Sequence, residues 1–421
     1  MPAIDGFAAA AALPLGWLHA ASLAHSSVLI QSTLALALCS LPPLDALGFA
    51  ASLSYLSAVV RRQPAPASPT VVDGATPNRQ SCISVWRSLA TLASCWCILA
   101  VDTPLFPPSL RKCSGIGCLG FMDSGSGAFV LFNAVAGSRG SRCVSCASSP
   151  SSSCAASTSQ VSSSLKRPSR AWGKPLCMAI GRLVATSASG YSVPDEEYGR
   201  HWNFFFTLSF ALHISKIMRR NIGTAAGSAL VLSAHQAALL IKKGALTEWA
   251  LSDERDRDLI SLNKEGIVSL SGYVGLHLLG CMIAEKLSSA KTQRQYIRYA
   301  LLCSVLSWSA LVPLSELVQP PSRRIANCAY IAWVTSINCA AMAASMYACM
   351  AAPASPVRGP VKAVDENMLP VFLLGNLLTG GLNMVVDLAE LSRLQSLVLL
   401  VLYMSAVVSF ALVLHSYQVK L

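Results

Sequence analysis

An acid and a base stand ten positions apart, Asp102 and Lys112, in the run Val101-Asp-Thr-Pro-Leu-Phe-Pro-Pro-Ser-Leu-Arg-Lys112 at the end of a hydrophobic segment. A carboxylate placed there suits removal of a proton from a hydroxyl. The ammonium suits stabilisation of an oxyanion, or the holding of a phosphate. A fully extended chain would separate the two by about 33 Å. Pro104, Pro107 and Pro108 forbid a continuous helix and favour a turn that brings them together. The same pair also suits an interfacial ion pair, with the Lys112 stem snorkelling to water.

Further polar groups gather where apolar segments begin or end. Gly115, Gly117, Gly120, Gly125 and Gly127 flank Asp123, a candidate ligand-binding acid; the glycines allow close approach of a ligand or close helix packing. His201 and Asn203 open a span beside Tyr198 and Trp202 and suit a polar head group, whereas the two aromatics fit an interface belt. Lys264 and Glu265 open another span, where Glu265 also suits the positive end of a helix. Arg323 and Arg324 form an adjacent guanidinium pair that matches phosphate bidentately or anchors topology. Asn376, Thr379, Asn383 and Asp387 fall on one stripe of the segment 369–388, facing a cavity or a partner helix.

The elements that must position these groups are read from hydropathy. The chain has 421 residues, 53% hydrophobic and only 12% charged, about half the usual charged fraction. Apolar stretches recur along it, and about 20 such residues cross a bilayer core. The expected class is therefore all-α, a polytopic helical membrane protein with about thirteen spans. These lie near 7–22, 26–41, 44–60, 83–101, 119–136, 176–190, 204–218, 222–241, 266–284, 297–317, 325–350, 367–387 and 395–416. The chain divides into N-terminal hydrophobic helices (1–60), helices carrying the Asp/Lys loop (61–137), a Ser-rich basic loop expected to be disordered (138–171), and a helical core (172–421).

The net charge of +12 sits in loops, which points to membrane orientation and away from nucleic acid. Placing Arg61, Arg62, Arg79 and the Ser-rich loop on the cytosolic side puts the Asp102–Lys112 loop on the far side. Alternation then puts Lys216, Arg219, Arg220, Lys286, Lys291, Arg294 and Arg298 in the cytosol. The segments 191–203, 242–265, 318–324 and 388–394 fall on the far side, provided that 176–190 crosses. Most of the fifteen cysteines lie in apolar segments as small hydrophobes. Cys143-Val-Ser-Cys146 lacks the second pair a zinc site needs, so no metal is expected. No histidine has Asp five residues later, and Ser126 lacks the glycine of a nucleophile elbow.

Several blocks together resemble the inositol acyltransferases of GPI-anchor biosynthesis, the phosphatidylinositol-glycan class W or GPI-anchored wall transfer family. They are Ile98-Leu-Ala-Val-Asp-Thr-Pro-Leu-Phe-Pro107, Phe121-Met-Asp-Ser-Gly-Ser-Gly127, Glu197-Tyr-Gly-Arg-His-Trp-Asn-Phe-Phe-Phe-Thr207, Asn263-Lys-Glu-Gly-Ile-Val-Ser-Leu270, Ser322-Arg-Arg-Ile-Ala-Asn327 and Leu374-Gly-Asn-Leu-Leu-Thr-Gly380. The resemblance covers about residues 80–136 and 172–417 in family order. It implies a multi-pass protein of the endoplasmic reticulum membrane. Its reaction would move a fatty acyl group from acyl-CoA, as co-substrate and without a cofactor, to an inositol hydroxyl of glucosaminyl-phosphatidylinositol. Asp102 and Lys112 match the family's catalytic acid and base. The chain departs at Thr103, at Pro108-Ser109 and at Cys113-Ser114, where the family reads Phe, Arg-Arg and Thr-Glu. A membrane transporter, or a non-catalytic lipid-binding membrane protein, is the alternative class for the same polar stripe.

Overall fold

A computed structural model of the chain describes residues 79–113, 115–137, 172–189, 196–351 and 359–418. The expected spans at 7–22, 26–41 and 44–60, the Ser-rich loop and the Cys143–Cys146 pair lie outside the described residues. Among the described residues the structure is helical throughout. In chain order the helices are α1 (Arg79–Ala100), α2 (Ser124–Gly137), α3 (Gly173–Ser189), α4 (Phe204–Asn221), α5 (Thr224–Leu251) and α6 (Lys264–Ser288). They continue as α7 (Gln293–Pro313), α8 (Cys328–Ala351), α9 (Gly359–Glu366), α10 (Met368–Val385) and α11 (Arg393–Ser416).

Seven of these are long and apolar enough to cross a membrane among the described residues: α1, α5, α6, α7, α8, α10 and α11. They coincide with seven of the thirteen expected spans. Three more expected spans are the helices α2, α3 and α4, of 14, 17 and 18 residues. The stretch 119–136 is only partly helical, because Phe121–Asp123 forms a separate 3₁₀ turn before α2.

The described chain forms two compact units. The first comprises the chain up to Ala128 with Leu287–Pro320 and Ala332–Leu421. Here α1, α9, α10 and α11 pack on one another around Cys95, Leu99, Val371, Leu400, Tyr403 and Val407. The Tyr403 hydroxyl donates to the carbonyls of Cys95 (3.0 Å) and Gly375 (3.1 Å), which ties three helices in the apolar interior. Ser304 of α7 and Ser336 of α8 each donate to the other's carbonyl at 2.9 Å. Such polar clips join helices where lipid gives no hydrophobic drive.

The second unit comprises Phe129–Lys286 and Pro321–Ile331. Its α3 packs on α4 and its α4 on α5. α5 is two helical pieces joined across a kink at Ile241–Gly244, where Lys242, Lys243 and Gly244 have φ of 52°, 59° and 89°. The crossing part of α5 thus ends where the hydropathy places the end of the 222–241 span.

Contacts between helix ends test the expected alternation. Arg79 at the start of α1 donates to the Ser288 carbonyl at the end of α6 (2.6 Å). Those ends share a side. At its other end, α1 meets the end of α10 through Asp102 and Asn383 (2.8 Å). Glu366, just before α10, meets His415 at the end of α11 (2.8 Å). Both pairs fit the alternation set by Lys and Arg. In a labelling experiment, Ile116→Cys, Leu259→Cys and Ser392→Cys should therefore react with an impermeant maleimide from one side, above the wild-type background. Lys291→Cys should react from the other. Reaction of Ile116→Cys and Leu259→Cys from opposite sides would show an odd number of crossings between them and overturn the expected alternation.

Candidate functional site

The sequence-selected residues fall into two groups, one in each unit. In the first unit α1 unwinds through successive turns: Val101 N–H donates to Cys97 O (3.1 Å), Asp102 N–H to Leu99 O (3.2 Å) and Thr103 N–H to Ala100 O (3.0 Å). Pro104 has no N–H to continue the pattern. Phe106 and Leu110 then bury themselves in the helix interior, with the Phe106 ring 5.7 Å from that of Trp96. These two anchors hold the proline-rich run against the bundle. The departures from the family pattern are accommodated: the Thr103 hydroxyl donates to Ala100 O (2.7 Å), and Pro108 opens a 3₁₀ turn, where its missing N–H costs nothing.

The far half of the loop is closed by Asp123. Its carboxylate is fully buried and accepts the backbone N–H of Gly120 (2.8 Å) and of Cys113 (3.0 Å). Gly120 lies so close to the Arg111 carbonyl that any side chain would collide with it. Cys113 is joined to Cys118. Asp123 is thus a positioning acid, bonded to the loop's own backbone. Lys112, flanked by these fixed residues, is exposed to solvent.

Asp102 is half-buried, and its Oδ2 accepts a hydrogen bond from Asn383 Nδ2 (2.8 Å). Among the described residues, no other side chain bonds to this carboxylate. The polar stripe therefore has three separate fates. Asn376 donates to Phe372 O of its own helix (2.8 Å), Thr379 meets Tyr403 (3.5 Å) and Asn383 reaches Asp102. The stripe also stops early, because α10 ends at Val385; Asp387 instead accepts from Ala389 N–H (3.1 Å) in the following turn.

In the second unit, Asn203 caps α4, accepting from Phe205 N–H (3.0 Å) and donating to Ala179 O (3.0 Å). The side chain is buried and committed to the fold rather than open to a head group. His201 is exposed, with its backbone N–H bonded to Asn263 Oδ1 (2.8 Å). Gly199, at φ +107°, and Gly266 let this segment lie directly on Asn263 and Trp202; a Cβ at either would collide.

Glu265 is fully buried and is the anchor of a charged network. It takes both arms of Arg255 (2.6 and 3.0 Å) and one of Arg324 (3.2 Å). One carboxylate thus faces two guanidinium groups. The Lys264 ammonium, also fully buried, donates to two neutral oxygens, Ser252 Oγ and Glu254 O, each at 2.7 Å, and lies 5.7 Å from the Trp249 ring centre. Arg323 stacks over Tyr198 at 5.8 Å. Arg255 escaped the sequence reading because Ser252-Asp-Glu-Arg-Asp-Arg-Asp258 looks like a solvated run of mixed charge. Among the described residues, no group of three or more His, Cys, Asp or Glu side chains is placed to hold a metal.

The GWT1 family model matches residues 10–414. An uncharacterized protein of Arabidopsis thaliana is 34% identical over 338 residues, 78% of this chain and 72% of that protein. The phosphatidylinositol-glycan biosynthesis class W protein of Dictyostelium discoideum is 31% identical over 368 residues, 80% of this chain and 74% of its own. GPI-anchored wall transfer protein 1 of Aspergillus fumigatus is 27% identical over 380 residues, covering 80% and 72% of the two chains.

The Asp123 clasp makes a direct prediction. Trypsin should cut after Arg111 or Lys112 much faster in Asp123→Ala than in the wild type, because two charge-assisted bonds, each worth roughly 1.5 to 3 kcal/mol, are lost. Equal cleavage rates would mean that the anchors Phe106 and Leu110 hold the loop unaided. For the network, Glu265→Gln should destabilise the folded protein by about 3 to 5 kcal/mol, the usual cost of unpairing a buried charge. Thermal unfolding in detergent measures it, and an unchanged midpoint would show that Arg255 and Arg324 find other partners.

Proposed function

The chain belongs to the GWT1 family, and from that premise we propose that it is an acyl-CoA-dependent inositol acyltransferase of GPI-anchor biosynthesis, acting in the endoplasmic reticulum membrane. The acceptor would be glucosaminyl-phosphatidylinositol. The observation that carries the proposal is the Asp102 carboxylate, half-buried at the end of α1 with one oxygen held by Asn383.

In the proposed reaction, Asp102 removes the proton of the inositol hydroxyl as its oxygen attacks the thioester carbonyl. Lys112 stabilises the negative oxygen of the tetrahedral intermediate. Collapse breaks the carbon–sulfur bond, and the proton held by Asp102 returns to the leaving thiolate. The products are the inositol ester and free CoA, with no redox change. The adjacent guanidinium groups of Arg323 and Arg324 suit a phosphate-bearing ligand. His201, exposed at the edge of the second unit, is a candidate head-group contact. A transporter would need a continuous polar path, and the bonds made by Asn376 and Thr379 interrupt the stripe that would supply one.

Purified protein in lipid should acylate glucosaminyl-phosphatidylinositol when given acyl-CoA. Asp102→Asn should lower the rate about 10²- to 10⁴-fold, the range of a general base. Lys112→Ala should cost about 10²- to 10³-fold, the range of one oxyanion donor. Asn383→Leu should cost about three- to thirtyfold, equivalent to roughly 0.6 to 2 kcal/mol for an interhelical bond, while Leu382→Ala should cost less. Wild-type rates in both Asp102→Asn and Lys112→Ala would refute the mechanism; no acyl transfer by the wild-type protein would refute the function.

A further inference from the structure

Lys112 stands between two residues whose backbone is held. On one side Arg111 N–H donates to Pro108 O (3.2 Å), and Gly120 lies against the Arg111 carbonyl. On the other, Cys113 N–H donates to the buried Asp123 carboxylate (3.0 Å). Cys113 is in addition bonded to Cys118, five positions on, with 5.9 Å between the two Cα atoms, a span that a disulfide bridges. All of these residues belong to the first unit.

The proposed reaction gives this covalent bond no part, although Cys113 is the neighbour of its cation and one of the chain's departures from the family pattern. Between the cysteines stand Gly115 and Gly117, of the residue type that loses most backbone freedom on ordering. Gly117, at φ +82°, makes the left-handed turn that brings Cys118 back to Cys113. The bond removes freedom that the Asp123 carboxylate would otherwise have to restrain alone. Cys118 is exposed, so a thiolate in solution can reach its sulfur. The other cysteines among the described residues are free thiols. Disulfides persist in oxidising compartments, and the alternation of Lys and Arg is expected to put this loop on the side away from the cytosol.

We infer that the Cys113–Cys118 disulfide is a positioning element for Lys112, and that acyl transfer slows when this bond is reduced. The inference rests on the proposed oxyanion role of Lys112. A long exposed side chain is flexible, so the loop limits its range by fixing the backbone that bears it. A displacement on the order of 1 Å at a reacting group costs about 10²-fold in rate. Reduction is a two-electron exchange with a dithiol. One reagent thiolate attacks the Cys118 sulfur, the bond between the cysteines breaks, and the Cys113 sulfur leaves as a thiolate and takes up a proton. The second reagent thiol then displaces Cys118 from the mixed disulfide, leaving two cysteine thiols and a cyclic reagent disulfide.

Full-length protein in nanodiscs tests it through rates measured before and after treatment with dithiothreitol, with the state of both thiols read by alkylation and mass. Reduction of the wild type should lower kcat and kcat/KM together by about tenfold, as for a contact made only in the transition state. Cys118→Ser should show the same loss and no further response to the reagent. Lys112→Ala separates positioning from general stability. With the cation gone, reduction should change the residual rate by no more than about twofold, because the two changes act through one group. A bond that merely stabilises the fold would lower that residual rate as much as it lowers the wild-type rate. Free thiols at both positions before treatment overturn the inference, as does an unchanged wild-type rate after reduction or an equal loss in Lys112→Ala. Where Cys118→Ser yields no folded protein, reduction of the wild type and of Lys112→Ala carries the test. If wild-type protein transfers no acyl group, the functional reading fails separately. Trypsin then decides: faster cleavage after Arg111 or Lys112 in the reduced protein supports the hold on Lys112, and equal cleavage removes it.

Discussion

Within hydrocarbon no water is available to backbone N–H and C=O groups, so each place where this chain stops being helical must be satisfied by the protein itself. That constraint explains why the candidate residues sit where they do. At the end of α1 the freed carbonyls of Leu99 and Ala100 are taken up by Asp102 and Thr103 N–H groups, which leaves the Asp102 side chain projecting from a tied-off terminus. Before α2, the N–H groups of Cys113 and Gly120 are answered by Asp123. Before α8 they are answered by Asn327, and before α4 by Asn203. Three acceptor side chains thus make the turns, and the turns carry the cations.

The same constraint governs charge. Asp102 needs no cation because it lies half-buried at a helix end with an amide donor from α10. Glu265 is fully buried and is paired with two arginines. Lys264 beside it donates to two neutral oxygens and lies over an indole. The two carboxylates therefore serve opposite ends. Glu265 is saturated, so it holds arginines in place. Asp102 is half-buried and takes one amide donor, from Asn383.

The sequence made the class legible because membrane crossing depends on runs of residue type, which survive without any knowledge of contacts. The Asp102 loop was legible too, since three prolines and two opposite charges are local signals. Roles that depend on distant partners were not. Asp123 and Asn203 have the residue types of ligand-binding groups, and only the structure shows Asp123 bound to the N–H of Gly120 and Asn203 to that of Phe205. Asn383 was visible as a member of a stripe, but its partner lies 281 residues away. Arg255 hid in a run of alternating charge.

The break in α5 shows how strain is placed. Lys242 and Lys243, just past the expected 222–241 span, adopt left-handed backbone with Gly244, at about 1 to 2 kcal/mol for each non-glycine residue. The bend is held because Thr247 Oγ1 takes the Leu239 carbonyl (2.9 Å) that the break would orphan. Leu239 and Ala250, on either side of it, pack together with Ile325. A straight α5 would carry Trp249, Ser252 and Glu254 away from α6. Bent, it delivers the indole, the hydroxyl and the carbonyl that enclose Lys264. Ile325, the apolar contact of the bend, is also the residue whose carbonyl His235 of the same helix grips.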